Sequence, residues 1–202
     1  MTSRISHHEL LFRPDYRFFT VRDVECDAAE GGQEALARSH ESGAAATEYE
    51  VYVTVAQDLL KVRACLEVWD GPAGPETGFD DVSVFRLTCP SGTLQMADGS
   101  GTSIGGIDLP TGPGLYIAQV QFRGRAEALA ALRRLDEPMT ASPASAWQAL
   151  FAPYDGIEEY LIRVWFTESL SDDDDDDDDE AHQHEGCAQR SGVRLARDGR
   201  VA

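Results

Sequence analysis

Residues 60–69, LKVRACLEVW, decide the fold class of this chain. Apolar side chains alternate there with polar or bulky ones, a period of two that is typical of a β-strand with one buried face. The pattern predicts an inward row at Leu60, Val62, Ala64, Leu66 and Val68. Residues 15–24 predict a strand because they are rich in aromatic and β-branched side chains, and further strands are predicted at residues 48–55, 81–89, 92–96, 114–123 and 157–166.

Few helical signals interrupt these predicted strands. Residues 125–135 predict one short helix, because their leucines recur near helical spacing, whereas residues 26–47 are rich in Gly, Ala and Glu and predict a loop of low helical content. Since strands and helices do not alternate, we expect antiparallel pairing rather than a parallel sheet. The predicted fold class is mainly β, an antiparallel β-sandwich or jelly-roll-like barrel with one short helix.

The last part of the chain differs in composition from the rest. Eight consecutive aspartates occupy residues 172–179 and are followed by Glu180. Like charges at this spacing repel one another, and Asp disfavours both helix and strand. We therefore expect a β-sandwich domain at residues 1–170 and a disordered Asp-rich tail at residues 171–202.

Acidic residues dominate the charge of the chain. It has 202 residues with 36 acids and 17 Lys and Arg, so the formal net charge is −19. The tail holds 11 acids and 4 Arg, which leaves 25 acids and 13 bases, a net charge of −12, in residues 1–170. No direct nucleic-acid partner and no anionic membrane surface are expected, because both need clustered basic side chains.

Cysteine usage and hydropathy bear on the compartment. There is no signal-peptide core and no apolar run long enough to span a membrane, so we expect a cytoplasmic protein. The four cysteines, Cys26, Cys65, Cys89 and Cys187, show no CxxC spacing, and free thiols are expected. A Cys65–Cys89 bridge would require neighbouring strands. The basic residues are 16 Arg and one Lys, a bias typical of a high-GC bacterial genome.

No catalytic constellation stands out in the sequence, and no cofactor is expected. The histidines are His7, His8, His40, His182 and His184. All five lie outside the predicted strands, so we expect no histidine on a rigid scaffold to act as a general base. Glu158 and Glu159 are adjacent on a predicted strand and point to opposite faces, so they cannot form an acid–base pair by themselves.

Outward aromatic side chains beside acids are the candidates for a protein-binding surface, because aromatic residues are enriched at binding hot spots. The candidate binding residues are Tyr52, Glu67, Trp69, Glu159 and Trp165.

Two groups of residues are candidates for metal binding. Carboxylates around one turn could supply oxygen ligands to calcium, although their spacing matches no EF-hand loop. These carboxylates belong to Asp70, Glu76, Asp80 and Asp81. In the tail, His182, His184 and Cys187 could bind a transition metal weakly.

A series of short motifs runs through residues 16–166. FTV at 19–21 comes first, IDLP at 107–110 follows, then Gly114 and a strand centred on Tyr116, and YLI at 160–162 closes the series. This order resembles the competence protein J family, small bacterial inhibitors of a DNA-entry nuclease. The resemblance implies a β-sandwich that binds a protein rather than turning over a substrate.

The chain also departs from that family, in the long segment at 26–47, the helix at 125–135 and the Asp tail. No residue roles are carried over from it. An acidic protein would nevertheless be steered to the basic cleft of a nuclease and compete there with phosphate.

Three functional hypotheses follow. The first is a non-enzymatic acidic β-sandwich that binds a protein partner, an inhibitor or immunity protein against a basic nuclease or toxin. The alternative is a carboxylate- or metal-dependent enzyme in a jelly-roll-like barrel, which would need a deep pocket with converging acids. The third is a calcium-dependent module that uses the turn at 70–81.

Overall fold

The computed structural model describes residues 2–26, 30–80, 82–100 and 102–170. The chain divides into two units, Met1–Leu170 and Ser171–Ala202. The predicted disordered tail, with its metal-binding candidates, lies outside the described residues. Within the described ranges, no helix is long and apolar enough to cross a membrane.

Ten strands and three α-helices make up the regular structure of the described residues. In chain order they are β1 Arg4–Phe12, β2 Phe18–Asp23, α1 Gly32–Ser42, β3 Ala44–Ala46, β4 Glu50–Thr54, β5 Val62–Trp69, β6 Val82–Cys89, β7 Thr93–Asp98, β8 Ser103–Asp108, β9 Gly114–Arg123, α2 Arg125–Thr140, α3 Trp147–Phe151 and β10 Glu159–Glu168.

The strands form two five-stranded sheets. Sheet A has the order β1-β5-β10-β9-β6, and sheet B has the order β3-β4-β2-β7-β8. The mainly β class is confirmed, and over the described ranges neither sheet closes into a barrel.

The expectation of purely antiparallel pairing is wrong at one place, because β5 and β10 are parallel. Parallel neighbours need a long connection between them, and the chain from β5 to β10 passes through four other strands.

The hydrophobic core lies between the inner faces of the two sheets, in a sandwich-like arrangement. Sheet A contributes the row Val62, Ala64, Leu66 and Val68, which confirms the inward row predicted from the sequence. Sheet B faces it with residues such as Phe19 of β2. The fifth predicted position, Leu60, packs instead in a second, smaller cluster under α2 and α3.

The expectation of one short helix is wrong. Helix α1 lies in the segment predicted to be a loop, where the buried residues Ala35 and Ser39 face β4, with 2.7 Å between the hydroxyl oxygens of Ser39 and Thr54. A buried face of Ala and Ser lacks the large apolar side chains that usually mark an amphipathic helix, so the sequence does not reveal this helix. Helix α2 also runs past residue 135 to Thr140, with Pro138 in its last turn.

Three strands arise where none was predicted, and the first of them, β3, follows α1 in the segment predicted to be a loop. Strand β8 lies in a segment rich in Gly and Ser, and antiparallel backbone pairing with β7 holds this segment in a strand conformation. Strand β1 pairs with β5 along the edge of sheet A and places His7 and His8 inside a strand. The expectation that every histidine lies outside the strands is therefore wrong for these two.

Candidate functional site

The outer face of sheet A carries a cleft of about 550 Å³ between β1, β5, β10 and the loop of residues 70–80. Alternation along β5 and β10 places their odd-numbered residues on this face. The charged side chains that line the cleft belong to Arg4, Arg123, Arg163, Glu67, Glu76 and Glu159. Since three guanidinium groups face three carboxylates, the charge of the cleft is balanced.

A buried ion pair forms the floor of the cleft. The side chains of Glu67 and Arg163 are only 6% and 7% exposed, with 2.9 Å between Oε2 and Nε. Glu67 also accepts hydrogen bonds from Arg4, at 2.6 Å, and from the indole N–H of Trp69, at 3.0 Å. The ring of Trp69 lies 5.2 Å from the guanidinium carbon of Arg163.

Hydrogen bonds outweigh burial in setting the protonation of Glu67. Burial would raise the pKa of this carboxyl group, but bonds from Arg4, Arg163 and Trp69 hold its pKa below the ordinary value. Glu67 is therefore an acceptor for neighbouring cations and is poorly suited to act as a general acid near neutral pH.

Arg163 fixes the loop of residues 70–80 over the sheet. Its guanidinium donates to the carbonyl oxygen of Gly74 and to the carboxylate of Glu76, both at 2.5 Å. The backbone N–H of Glu76 donates to the side chain of Gln121 on β9 at 2.9 Å. The loop is thus attached to the central strand β10 and to its neighbour β9, and it forms one wall of the cleft.

One edge of the cleft brings three possible metal ligands together. The donor atoms of His7, Glu9 and Cys65 all lie within 4.8 Å of one another. Burial raises the pKa of the Cys65 thiol to about 11, so this thiol is protonated at neutral pH and is a weak nucleophile. The three donor atoms are close enough to coordinate one cation, which Cys65 would bind as the thiolate after loss of its proton.

A second distinctive surface lies on the other sheet, in residues 25–50, here called the acidic segment. It contains seven acids and one base, Arg38, for a net charge of −6. Five of these acids are exposed: Glu25, Glu30, Glu34, Glu41 and Glu48. Half of the net charge of residues 1–170 therefore lies in this one segment, which includes α1.

Helix α1 displays part of this charge because its other side is used for packing. Ala35 and Ser39 are buried against the sheet, whereas Glu34 and Glu41, two turns apart, lie together on the exposed side. Tyr52 on the neighbouring strand β4 donates its hydroxyl hydrogen to Glu50 at 2.5 Å. Burial and the Glu50 carboxylate raise the pKa of Tyr52, so it remains a neutral hydroxyl group.

The five predicted binding residues divide between these two surfaces. Glu67, Trp69 and Glu159 line the cleft, and Trp165 lies beside Trp69 in the parallel ladder of β5 and β10. Tyr52 lies on sheet B, next to the first turn of α1. The sequence predicts that these side chains point outward, but not that they belong to different sheets.

Two of the four predicted calcium ligands have other partners in the structure. Asp70 accepts hydrogen bonds from the backbone N–H and hydroxyl of Ser3, and Glu76 pairs with Arg163. Asp81 lies outside the described residues. The calcium hypothesis stays a prediction that the structure does not test.

The central role of Arg163 is not evident from the sequence. The only signal is a single base in the outward row of residues 157–166, between Leu161 and Trp165. A charged residue between two bulky apolar neighbours on one face indicates that a carboxylate must reach it from elsewhere in the chain. Sequence alone does not locate that carboxylate at Glu67.

The fold and these two surfaces define a mainly β protein of two packed sheets with an acidic helical flank. No protein-family model matches the chain. No curated protein matches it.

Two solved structures are similar. One is crocagin biosynthetic protein J, at 15% identity and a TM-score of 0.51, covering 81% of this chain and 98% of that one. Another is ComJ of Bacillus subtilis, described as an inhibitor of the DNA-degrading activity of NucA, at 11% identity and a TM-score of 0.49, covering 83% of this chain and 99% of that one. The structural resemblance to the competence protein J family that the sequence indicates is confirmed, at low identity.

Proposed function

We propose that this chain is a non-enzymatic β-sandwich protein of the cytoplasm that binds and inhibits a basic, nuclease-like protein, as an inhibitor or immunity protein. The observation that carries the proposal is the acidic segment: seven acids and one base in residues 25–50, with five of the acids exposed around α1.

Charge complementarity supports the choice of partner. A nuclease binds phosphate through clustered Lys and Arg, and an acidic surface is attracted to such a cleft. Attraction of this kind raises the rate of encounter and weakens with salt. Carboxylates of the acidic segment then occupy positions that phosphates of the substrate would otherwise take.

The composition of the cleft on sheet A supports the non-enzymatic part of the proposal. Its carboxylates Glu67, Glu76 and Glu159 all pair with arginines, and none of them is left to act as a general base. The thiol of Cys65 is protonated at neutral pH, as its raised pKa of about 11 requires. A carboxylate enzyme would instead need two acids of unequal pKa facing an open pocket.

A binding experiment with charge reversals tests the proposal. The double variant Glu34→Lys, Glu41→Lys changes the first and last turns of α1, where both side chains are exposed. The matched control Glu127→Lys, Glu137→Lys makes the same change of charge on two exposed residues near the ends of α2. If the α1 variant loses binding and the α2 variant does not, the loss is specific to the acidic segment and is not an effect of net charge.

The partners to assay are basic nucleases, beginning with a nuclease of the NucA type, by titration calorimetry and by inhibition of DNA cleavage. We expect the native chain to bind at low salt, the α1 variant to bind at least about tenfold more weakly, and the α2 variant to stay close to the native chain. Absence of binding to every basic nuclease at low salt would overturn the proposal. Equal losses in the two variants would show that the acidic segment is not the binding surface.

A further inference from the structure

We propose that His7, Glu9 and Cys65 form a zinc site at the edge of sheet A, with one coordination position open to the cleft. The three donors come from two adjacent strands, and their ligand atoms lie within 4.8 Å of one another. This inference does not depend on the proposed inhibitory function.

The β-ladder brings the three side chains together. His7 and Glu9 are two residues apart on β1 and therefore point to the same face. In the register of β1 and β5, Glu9 lies opposite Cys65, and His7 lies opposite Glu67. Directly opposed residues in an antiparallel pair have Cβ atoms roughly 5 Å apart, so both strands deliver donors to the same point.

The distances suit a small tetrahedral ion. Zinc binds sulfur at about 2.3 Å and nitrogen or oxygen at about 2.0 to 2.2 Å, so ligand atoms of a tetrahedral site lie roughly 3.5 Å apart. Donors that already lie within 4.8 Å of one another reach this separation through side-chain rotations. No strand has to move.

The mixture of donors selects the class of metal. One imidazole nitrogen, one carboxylate oxygen and one cysteine sulfur form a set typical of zinc, whereas calcium and magnesium prefer oxygen alone. The side chain of Cys65 is only 6% exposed and forms no disulfide bond. It would bind zinc as the thiolate, and its proton would be released to solvent through the cleft when the metal binds.

Neighbouring charges would support the ligands. The Nδ1 atom of His7 lies 3.5 Å from Glu67, and a carboxylate beside a ligating imidazole fixes the orientation of the ring. Glu9 forms an ion pair with Arg63 through Oε1, and its second oxygen is the atom that would bind zinc. His7 and Cys65 both line the cleft, so the open position faces it and would hold water.

Cobalt(II) provides a spectroscopic test, because a cysteine ligand gives an intense sulfur-to-cobalt charge-transfer band. The full chain carries His182, His184 and Cys187 in its tail, so the test is made in a background with these three replaced by Ala, Ala and Ser. We expect one cobalt per chain with a charge-transfer band, and displacement of the cobalt by zinc.

Four variants of that background test whether His7 and Cys65 bind the metal. Cys65→Ser should abolish the band, and His7→Ala, at a side chain 39% exposed, should weaken zinc binding at least about tenfold because zinc would lose one of its three protein ligands. The controls are His8→Ala, one residue away on the other face of β1, and Cys26→Ser; both should bind as the background does. A background protein without the charge-transfer band, a Cys65→Ser protein that keeps it, or a His7→Ala protein that binds zinc unchanged would each overturn the proposal.

Discussion

Glu67 on β5 and Arg163 on β10 form a buried ion pair across the parallel strands of sheet A, with 2.9 Å between Oε2 and Nε. The same arginine holds the loop of residues 70–80 through Gly74 and Glu76. One side chain therefore links the only parallel pair of the described strands to the wall of the cleft.

Replacing Arg163 by Met is expected to destabilise the protein by about 3 to 5 kcal/mol, because Glu67 would lose its buried partner. Urea denaturation of the native and variant chains measures the difference. The control is Arg86→Met, since the pair of Arg86 and Glu168 is 72% and 57% exposed and should contribute less than about 1 kcal/mol. Similar losses in the two variants would contradict the role given to the buried pair.

The lowered pKa of Glu67 makes stability depend on pH in the acid range. Because the folded-state pKa lies below the ordinary value of about 4.3, the carboxylate contributes stability above that value, and the contribution is lost as the pH falls through the folded pKa. Glu67→Gln should therefore be less stable than the native chain at neutral pH and should lose less stability on acidification.

Unfolding free energies measured from pH 7 down to about pH 3 check this prediction. Glu168→Gln, at a carboxyl group 57% exposed, is the control and should follow the native curve. Parallel curves for the native chain and Glu67→Gln would show that this group does not titrate below its ordinary pKa.

The sequence predicts the faces of strands better than the partners of strands. The alternation in residues 60–69 identifies the core row and the outward row of β5, because both depend only on neighbouring residues. The pair of Glu67 and Arg163 joins residues 96 positions apart, and no local pattern encodes that separation. For the same reason Tyr52 and Trp69, both outward, could not be assigned to different sheets.

The acidic surface shows a second limit. Its charge is evident in the sequence, but α1 is not, because its buried residues Ala35 and Ser39 are small and no stripe of large apolar side chains indicates a helix. Packing against β4, rather than an apolar stripe, stabilises the helix. The composition therefore predicts an acidic region, whereas tertiary contacts decide that it is helical.

Glu158 accepts a set of buried hydrogen bonds, a role that the sequence, where it simply precedes Glu159, does not indicate. It is fully buried, and its carboxylate accepts hydrogen bonds from the backbone N–H of Ala56 at 2.6 Å, the amide of Gln57 at 3.2 Å and the hydroxyl of Tyr160 at 2.5 Å. Glu158→Ala would leave the buried backbone N–H of Ala56 without an acceptor, whereas Gln57 and Tyr160 keep hydrogen bonds to the carbonyl oxygens of Leu60 and Thr54. We expect a loss of about 2 to 3 kcal/mol, from this unpaired donor and from the cavity that the shorter side chain leaves.

Thermal and urea unfolding of Glu158→Ala measure this loss. The adjacent residue provides the control, since Glu159 points to the opposite face and pairs with Arg123, whose side chain is 46% exposed. Glu159→Ala should cost about 1 kcal/mol or less. If the two variants were equally stable, the hydrogen-bond network around Glu158 would not stabilise the fold.

Gly124 joins β9 to α2 at a point where a side chain cannot be accommodated. Its φ is +76°, and a Cβ atom there would lie 1.8 Å from the carbonyl oxygen of Ile157. Gly106 has a similar φ of +68°, but nothing lies within 4 Å of its Cβ position. Gly106→Ala should cost about 1 to 2 kcal/mol for the left-handed conformation alone.

Gly124→Ala carries the same conformational cost and also displaces the backbone of residue 157, which precedes Glu158. We therefore expect a loss of at least about 4 kcal/mol, or failure to fold, for this variant. Urea denaturation of the two variants separates the steric effect from the conformational one. Equal losses of unfolding free energy in the two variants would mean that the backbone at Ile157 can shift without destabilising the protein. The close contact at Gly124 would then not fix the position of the chain before β10.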